Sequence, residues 1–294
     1  MYTPDMKKTM NEYLNIVNEA LIESLPVSDD GQRDIVRAMR YSLANGGKRL
    51  RPILVLEFCK MCGGDYRDAI PLACAIEYVH TYSLIHDDLP CMDDDEMRRG
   101  SPSCHIVFGQ ANALLAGDAL LTHAFELIAN SDLSSDKIAK AVSLLAQNAG
   151  ISGMIGGQVL DLKYENLDPS VTDLLTIHKL KTGALISAAC ILGCIAAGAD
   201  EKQIEAASRY AYYLGIAFQI KDDLLDIEGD EEELGKPVGS DAKNDKTTYV
   251  TLVGEKKAQK DVRKLTQSAI NQLEIFSNKD FIVLLSEYLI SRNK

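Results

Sequence analysis

Apolar residues recur at three- and four-residue steps along most of the chain. Between positions 6 and 25, Met10, Leu14, Val17, Leu21 and Leu25 fall on one face of a helix, as a 3.6-residue repeat requires. The same rhythm predicts helices over 35–45, 111–130, 135–148, 150–164, 171–198, 201–225, 255–276 and 280–291. Gly46-Gly47 closes the second helix, Pro52 suits the first turn of the next, and Pro71 opens a long helix that runs to the first of two acidic clusters. Alternating strand patterns are almost absent. Two stretches break the rhythm, 93–110 with its charge, Gly and Pro, and 228–248 with its Gly, Asp and Lys. Each follows an acidic cluster, where lids and substrate clamps tend to lie. The pattern predicts an all-α, single-domain helical bundle spanning 1–294, with one functional rim.

Composition narrows the classes of function. A chain of 294 residues with 46% hydrophobic content can bury a large core, and no linker or low-complexity run divides it. The net charge of -12 argues against a nucleic-acid partner, because phosphate backbones select basic faces. Met1 to Lys8 holds no apolar core or small-residue cleavage site, so a cytoplasmic location without a secretory signal is expected. The longest apolar run, 184–199, falls short of the roughly 20 residues of a spanning helix, which predicts a core helix and no stable membrane anchoring. Seven cysteines without regular spacing, mostly inside apolar runs, read as buried reduced thiols. Cys59 and Cys62 have Cys-x-x-Cys spacing, but no second pair stands at zinc-finger distance.

The two acidic clusters carry the chemistry. They are His86-Asp87-Asp88-Leu89-Pro90-Cys91-Met92-Asp93-Asp94-Asp95 and Gln219-Ile220-Lys221-Asp222-Asp223-Leu224-Leu225-Asp226. Crowded carboxylates repel one another and lose hydration against apolar surface, costs that a divalent cation offsets. Asp222 and Asp226 stand four residues apart on one helix face. Asp87 and Asp93 are six apart with Pro90 between them, so a distortion there must re-aim Asp93. Hard oxygen donors point to Mg²⁺, with Mn²⁺ as the alternative. Either cluster alone is an ordinary solvated helix end; two of them, each followed by a basic loop, predict a polyanion held through metal bridges. Gly46-Gly47-Lys48-Arg49-Leu50-Arg51-Pro52 adds glycine N–H groups and cations suited to phosphate.

Five segments in this order resemble the trans-isoprenyl diphosphate synthases (polyprenyl synthetases), and among them the bacterial farnesyl diphosphate synthases: GGKRLRP at 46–52, HDDLPCMDDDEMRRG at 86–100, KTG at 181–183, QIKDDLLD at 219–226 and GKPVGSDAKNDKTTY at 235–249. The resemblance implies the isoprenoid synthase type I fold, a helical bundle around a deep central cavity, usually a homodimer, with the acidic motifs facing each other at its mouth. It implies that Asp87 and Asp93 ligate two Mg²⁺ ions and Asp222 a third, with Asp88 and Asp226 as weaker candidates. Arg98, Lys181, Lys236 and Lys246 then hold the allylic diphosphate, and Gly47, Lys48, Arg51, His80 and Arg99 hold isopentenyl diphosphate. Thr182 and Gln219 face a carbocation. Taken singly, His80 is an ordinary core histidine, Lys181-Thr182 a helix dipeptide and Gln219 a buried polar group.

The implied reaction is ionisation of dimethylallyl or geranyl diphosphate, attack by the double bond of isopentenyl diphosphate, and proton loss. Tyr82 and Ser83, one turn before Asp87, are expected to floor the cavity. In the resembling enzymes an aromatic at the position of Tyr82, with the extra Leu89-Pro90, goes with a fifteen-carbon product, and geranylgeranyl diphosphate is the nearest alternative. A reading of another class is a catalytically silent subunit of a heteromer, which retention of both acidic motifs disfavours.

Overall fold

A computed structural model describes residues 4–28, 30–164, 167–228 and 247–291. The periodicity resolves into α1 (Pro4–Glu23), α2 (Arg33–Ala44), α3 (Leu50–Met61), α4 (Ile70–Asp87), α5 (Cys104–Phe108), α6 (Gln110–Ala129), α7 (Ser135–Ala149) and α8 (Met154–Tyr164). These are followed by α9 (Val171–Ile177), a π-helical segment His178–Gly183, α10 (Ala184–Ala197), α11 (Glu201–Glu228), α12 (Tyr249–Val253), α13 (Glu255–Gln272) and α14 (Asp280–Ser291). The fold is an all-α, single-domain bundle, as the sequence predicts. One apolar core runs from Met6 to Leu289.

α3 and α4 show why the amphipathic stripe fades in the middle of the chain. Ten of the twelve residues of α3 and eleven of the eighteen of α4 are buried, with none of α4 exposed, and a helix packed on all sides is apolar on all sides. A smaller core of Ile216, Ile220, Leu224, Tyr249, Val250, Ala258 and Val262 packs the second half of α11 on α12 and α13. That core lies beneath the second acidic cluster and fixes its helix.

Several boundaries depart from the periodicity. The stretch 93–110 holds a two-stranded antiparallel hairpin, β1 (Met97–Arg98) with β2 (Ser101–Pro102), and then α5. α8 begins at Met154, after a turn at 150–153, and a 3₁₀ turn, Leu273–Ile275, ends α13. α12 is a further helix that the apolar rhythm, too short there, does not announce. The helical run Val171–Ala197 is 27 residues long and, by length and composition, apolar enough to cross a membrane, unlike the shorter 184–199 run taken alone. It is nonetheless a core helix, since 67% of its most apolar stretch is buried against the rest of the protein. All seven cysteines are free, but Cys62 is half-buried and Cys91 exposed, where burial was expected.

Candidate active site

The first acidic cluster is built by the end of α4. Past Asp87 the chain folds back on itself around Pro90, with the Asp93 N–H donating to the Asp87 carbonyl at 2.8 Å and the Met92 N–H to the Leu89 carbonyl at 2.8 Å. Asp94 sits in the left-handed region at φ 52°. This is the distortion that Pro90 predicts, and it returns Asp93 to the vicinity of Asp87. Burial pushes the Asp87 carboxyl up to about 6; Lys181 pulls it down, while Asp93 and Asp88 push it further up. Asp88 is buried and gripped by Arg98, whose Nε donates to it at 2.8 Å. The same guanidinium reaches Asp95 at 3.0 Å. Arg98 therefore stands beside the first acidic cluster, paired with its carboxylates.

The second cluster stands on α11 and lines a cavity of about 270 Å³, together with Asp161, Lys181, Thr182 and Gln219; the first cluster does not line it. The π-helical turn supplies Lys181 and Thr182. Such one-turn insertions mark functional sites because the extra residue shifts side chains off the regular helical face. Two glycines admit this wider turn. A Cβ on Gly157 of α8 would fall 2.2 Å from the Lys181 nitrogen, and one on Gly215 of α11 would fall 3.0 Å from the Gly183 Cα. Across the cavity Thr182 Oγ1 donates to Gln219 Oε1 at 3.0 Å, and Lys181 Nζ pairs with Asp161 Oδ2 at 2.7 Å. Asp223 is buried, 3.9 Å from His178 Nε2, and accepts the Tyr249 N–H at 3.0 Å, which ties the re-entering chain to α11. Lys236 and Lys246 lie outside the described residues.

A cationic cluster completes the rim. Arg49, in the left-handed region at φ 47°, is buried between α3 and α4. It donates to Glu77 Oε1 at 2.9 Å, to Asn18 Oδ1 at 2.9 Å and to the Leu43 carbonyl. That arrangement fixes the turn from which Arg51 projects. Burial lowers the Arg51 pKa, Glu77 opposes that shift, and the charge of Asp222 also reaches it. Arg99 donates to the Gly46 carbonyl and lies against Gly47, where a Cβ would fall 2.6 Å from its Nη1. Gly47 also holds φ +128°, so both space and backbone demand glycine there. His80 is held neutral, its pKa far below the ordinary value through burial and the charges of Arg51, Arg99, Arg49 and Arg98. Lys48 is exposed and borders a separate apolar cavity of about 250 Å³ beside Met10, Leu14 and Leu285.

Tyr82 is buried one turn below Asp87, and its hydroxyl finds no hydrogen-bond partner among the described residues. It does not line the 270 Å³ cavity. Its ring meets His86 edge-on, centroids 5.6 Å apart at 80°. His86 Nε2–H in turn donates to the Leu114 carbonyl at 3.0 Å, in space left by Gly117, whose Cβ would fall 2.2 Å from that nitrogen. Ser83 donates to the His80 carbonyl at 2.9 Å.

Among the described residues, no three His, Cys, Asp or Glu side chains close into a preformed chelate. Asp222, Asp223 and Asp226 line the cavity, and Asp87 lies near enough to feel the charge of Lys181 there. Their hard oxygen donors fit Mg²⁺, which takes few protein ligands and keeps room for phosphate oxygens. His86 is turned to Leu114 and adds no softer donor. Glu77, Asp161 and His178 lie near the site but outside every motif, and Arg49 and Asp223 lie inside the motifs without a role assigned from them. Glu77, a lone carboxylate inside the apolar α4, and Arg49, a cation at the start of the apolar α3, are the signal that could have found the Arg49–Glu77 pair.

The chain matches the polyprenyl synthetase family over residues 32–280. It is 46% identical over 255 residues to a farnesyl diphosphate synthase of Bacillus subtilis (strain 168), covering 86% of this chain and 83% of that one. It is 43% identical over 286 residues to a geranylgeranyl diphosphate synthase of Cyanophora paradoxa, covering 96% and 95%. The crystal structure of an FPP/GFPP synthase from Zymomonas mobilis superposes with a TM-score of 0.87 at 34% identity, covering 98% and 99%. A helical bundle with two acidic motifs and a basic rim at its mouth is the architecture of a prenyltransferase. The chain belongs to the polyprenyl synthetase family.

The Arg49–Glu77 pair generates a direct test. Both side chains are 2% exposed, so Glu77→Ala leaves a buried cation uncompensated and is expected to cost about 3–5 kcal/mol in denaturant unfolding. A loss below about 1 kcal/mol would show that the pair does not hold the α3 turn.

Proposed function

We propose that this chain is a farnesyl diphosphate synthase, joining isopentenyl diphosphate head-to-tail (1'-4) to dimethylallyl and then geranyl diphosphate. The observation that carries the fifteen-carbon reading is Tyr82, a buried aromatic one turn below Asp87 that His86 and Gly117 hold in place. Relatives making farnesyl and geranylgeranyl diphosphate are similar to this chain at 46% and 43% identity, so the family alone does not choose between them. Tyr82 favours the shorter product because a fixed ring one turn below Asp87 would stop a hydrocarbon tail that grows down α4 from that residue.

Asp87, Asp93 and Asp222 are the residues to hold Mg²⁺, with Asp226 beside them and Asp88 less available because Arg98 grips it. Mg²⁺ supplies positive charge against the diphosphate as it departs. Lys181 and Arg98 turn from their carboxylate partners to the allylic diphosphate, the movable charges of the site. Lys236 and Lys246 are assigned to the same anion on sequence grounds. Arg51, Arg99, Lys48, His80 and the Gly47 backbone take the diphosphate of isopentenyl diphosphate. His80, held neutral, serves there as a hydrogen-bonding group.

Thr182 directs its hydroxyl proton to Gln219, which leaves its oxygen lone pairs for the allylic cation. The π-helical turn thereby places a dipole, instead of a charge, beside the reacting carbons. The apolar walls exclude water that would otherwise capture the cation. The condensed cation loses its proton to the released diphosphate, so no side chain acts as general base. Exposed Ile106, Val107, Leu114 and Leu115 on α5 and α6 give a second copy an apolar face to cover, which supports a homodimer. Seven free thiols suit a reducing cytoplasm.

Asp87→Ala is expected to reduce turnover by at least about 100-fold with an unchanged melting temperature; near-normal turnover would remove Asp87 from the metal assignment. Because the Asp87 carboxyl titrates at about 6, a proton competes with the cation below that value. Mg²⁺ affinity measured by calorimetry is expected to fall as pH drops through 6, and the fall should vanish in Asp87→Asn. Tyr82→Ala is expected to extend the product to twenty carbons or more, read by chromatography of the dephosphorylated alcohols. An unchanged product would mean that Tyr82 is not the floor.

A further inference from the structure

α3 and the π–α10 helix both begin at the site, with Arg51 in the first turn of one and Lys181-Thr182 just ahead of the other. Their C-terminal ends meet again away from it. α3 closes at Cys62, and α10 brings Cys194 to the same point, with Sγ atoms 3.7 Å apart across 132 residues of sequence. The Cys-x-x-Cys spacing is therefore misleading as a pair. Cys59 turns instead to the Asp65 carbonyl at 3.4 Å.

The backbone enforces the contact between the thiols. A Cβ on Gly193 would fall 2.3 Å from the Val55 oxygen and 2.8 Å from the Cys59 nitrogen, so α10 lies directly on α3 one residue before Cys194. Gly64 likewise lies against Ala197, its Cβ position 2.9 Å from that Cα. A disulfide needs the two sulfurs to close to about 2.05 Å. Cys62 is the terminal cap of α3, and the next residue, Gly63, holds φ +84° with no atom within 4 Å of its Cβ position. The closing movement thus falls on a helix end with room to shift, while Cys194 stays in the core.

We propose that Cys62 and Cys194 are a redox modification site, forming a reversible disulfide on exposure to hydroperoxides that staples α3 to α10. The half-buried Cys62 is the attacking thiol. Its sulfur bonds to one peroxide oxygen as the O–O bond breaks, and the departing oxygen takes up a proton to leave as an alcohol or water. Cys194 then bonds to the resulting sulfenic sulfur, the S–O bond breaks, and hydroxide leaves with the Cys194 proton as water. Two thiols and one hydroperoxide give one disulfide, one alcohol and one water. The surroundings favour this order: the hydrogen bond between the two sulfurs lowers the Cys62 pKa, whereas burial pushes Cys59 up to about 12 and raises Cys190 well above the ordinary thiol range.

This inference is independent of which prenyl product is made. A cross-link across so long a loop restricts the unfolded chain, and it lies outside the residues that hold substrate. The oxidised enzyme is therefore expected to melt several degrees higher with turnover unchanged within about two-fold.

The test uses the full chain with Cys91→Ser, to remove the exposed thiol, treated with a small excess of hydrogen peroxide. Non-reducing peptide mapping should yield one cross-linked peptide pair joining Cys62 to Cys194, with two hydrogens lost. The rise in melting temperature should reverse with dithiothreitol and be absent in Cys62→Ser, whose half-buried position tolerates the change. A Cys62–Cys59 link, oxidation that stops at a sulfinic acid, no cross-link at all, or a rise that survives Cys62→Ser would each overturn the proposal.

Discussion

The whole architecture answers one electrostatic demand: carboxylates must be held at the edge of an apolar bundle without driving it apart. Asp87 shows the tension, with burial pushing its carboxyl up to about 6. Cations set among the acids relieve that tension. Lys181 pairs with Asp161 and its charge is felt at Asp87, Arg98 grips Asp88, and the charge of Asp222 reaches Arg51. A site balanced in this way is prepared to exchange partners. An incoming diphosphate with its cations can replace the carboxylate partners of Lys181 and Arg98 without leaving any charge uncovered.

Rigidity behind the rim makes that exchange directional. The Arg49–Glu77 pair is buried, cannot be reached by substrate and locks the turn that carries Gly47 and Arg51. Asp223 holds the re-entering chain at Tyr249, and glycines at 157 and 215 let α8 and α11 clamp the π-helical turn. The fixed charges lie one layer behind the movable ones, as a preorganised electrostatic site requires. A similar backing supports Tyr82, where Gly117 admits His86 and His86 meets the Tyr82 ring.

Much of this was legible in the sequence. The 3.6-residue rhythm gave the helices to within a few residues because long amphipathic or wholly apolar segments have few alternatives. Pro90 between Asp87 and Asp93 foretold the fold-back. What periodicity could not show were features that change it by one residue or involve few residues: the π-helical turn at 178–183, the hairpin of Met97–Arg98 with Ser101–Pro102, and the short helix Cys104–Phe108. Lys181-Thr182 looks like any helix dipeptide until that extra residue turns it into the cavity. Contacts such as Lys181–Asp161, Arg49–Glu77 and Cys62–Cys194 join residues far apart in sequence, and no local pattern encodes them.

The proposed fifteen-carbon product depends on Tyr82 stopping the growing chain below a metal-assisted diphosphate site. The most direct measurement gives purified protein Mg²⁺ and labelled isopentenyl diphosphate with dimethylallyl, geranyl or farnesyl diphosphate in separate reactions. Farnesyl diphosphate is expected from the first two primers, with no extension of the third. Extension of farnesyl diphosphate to twenty carbons or more would contradict the floor, and no incorporation from any primer would contradict the reaction itself.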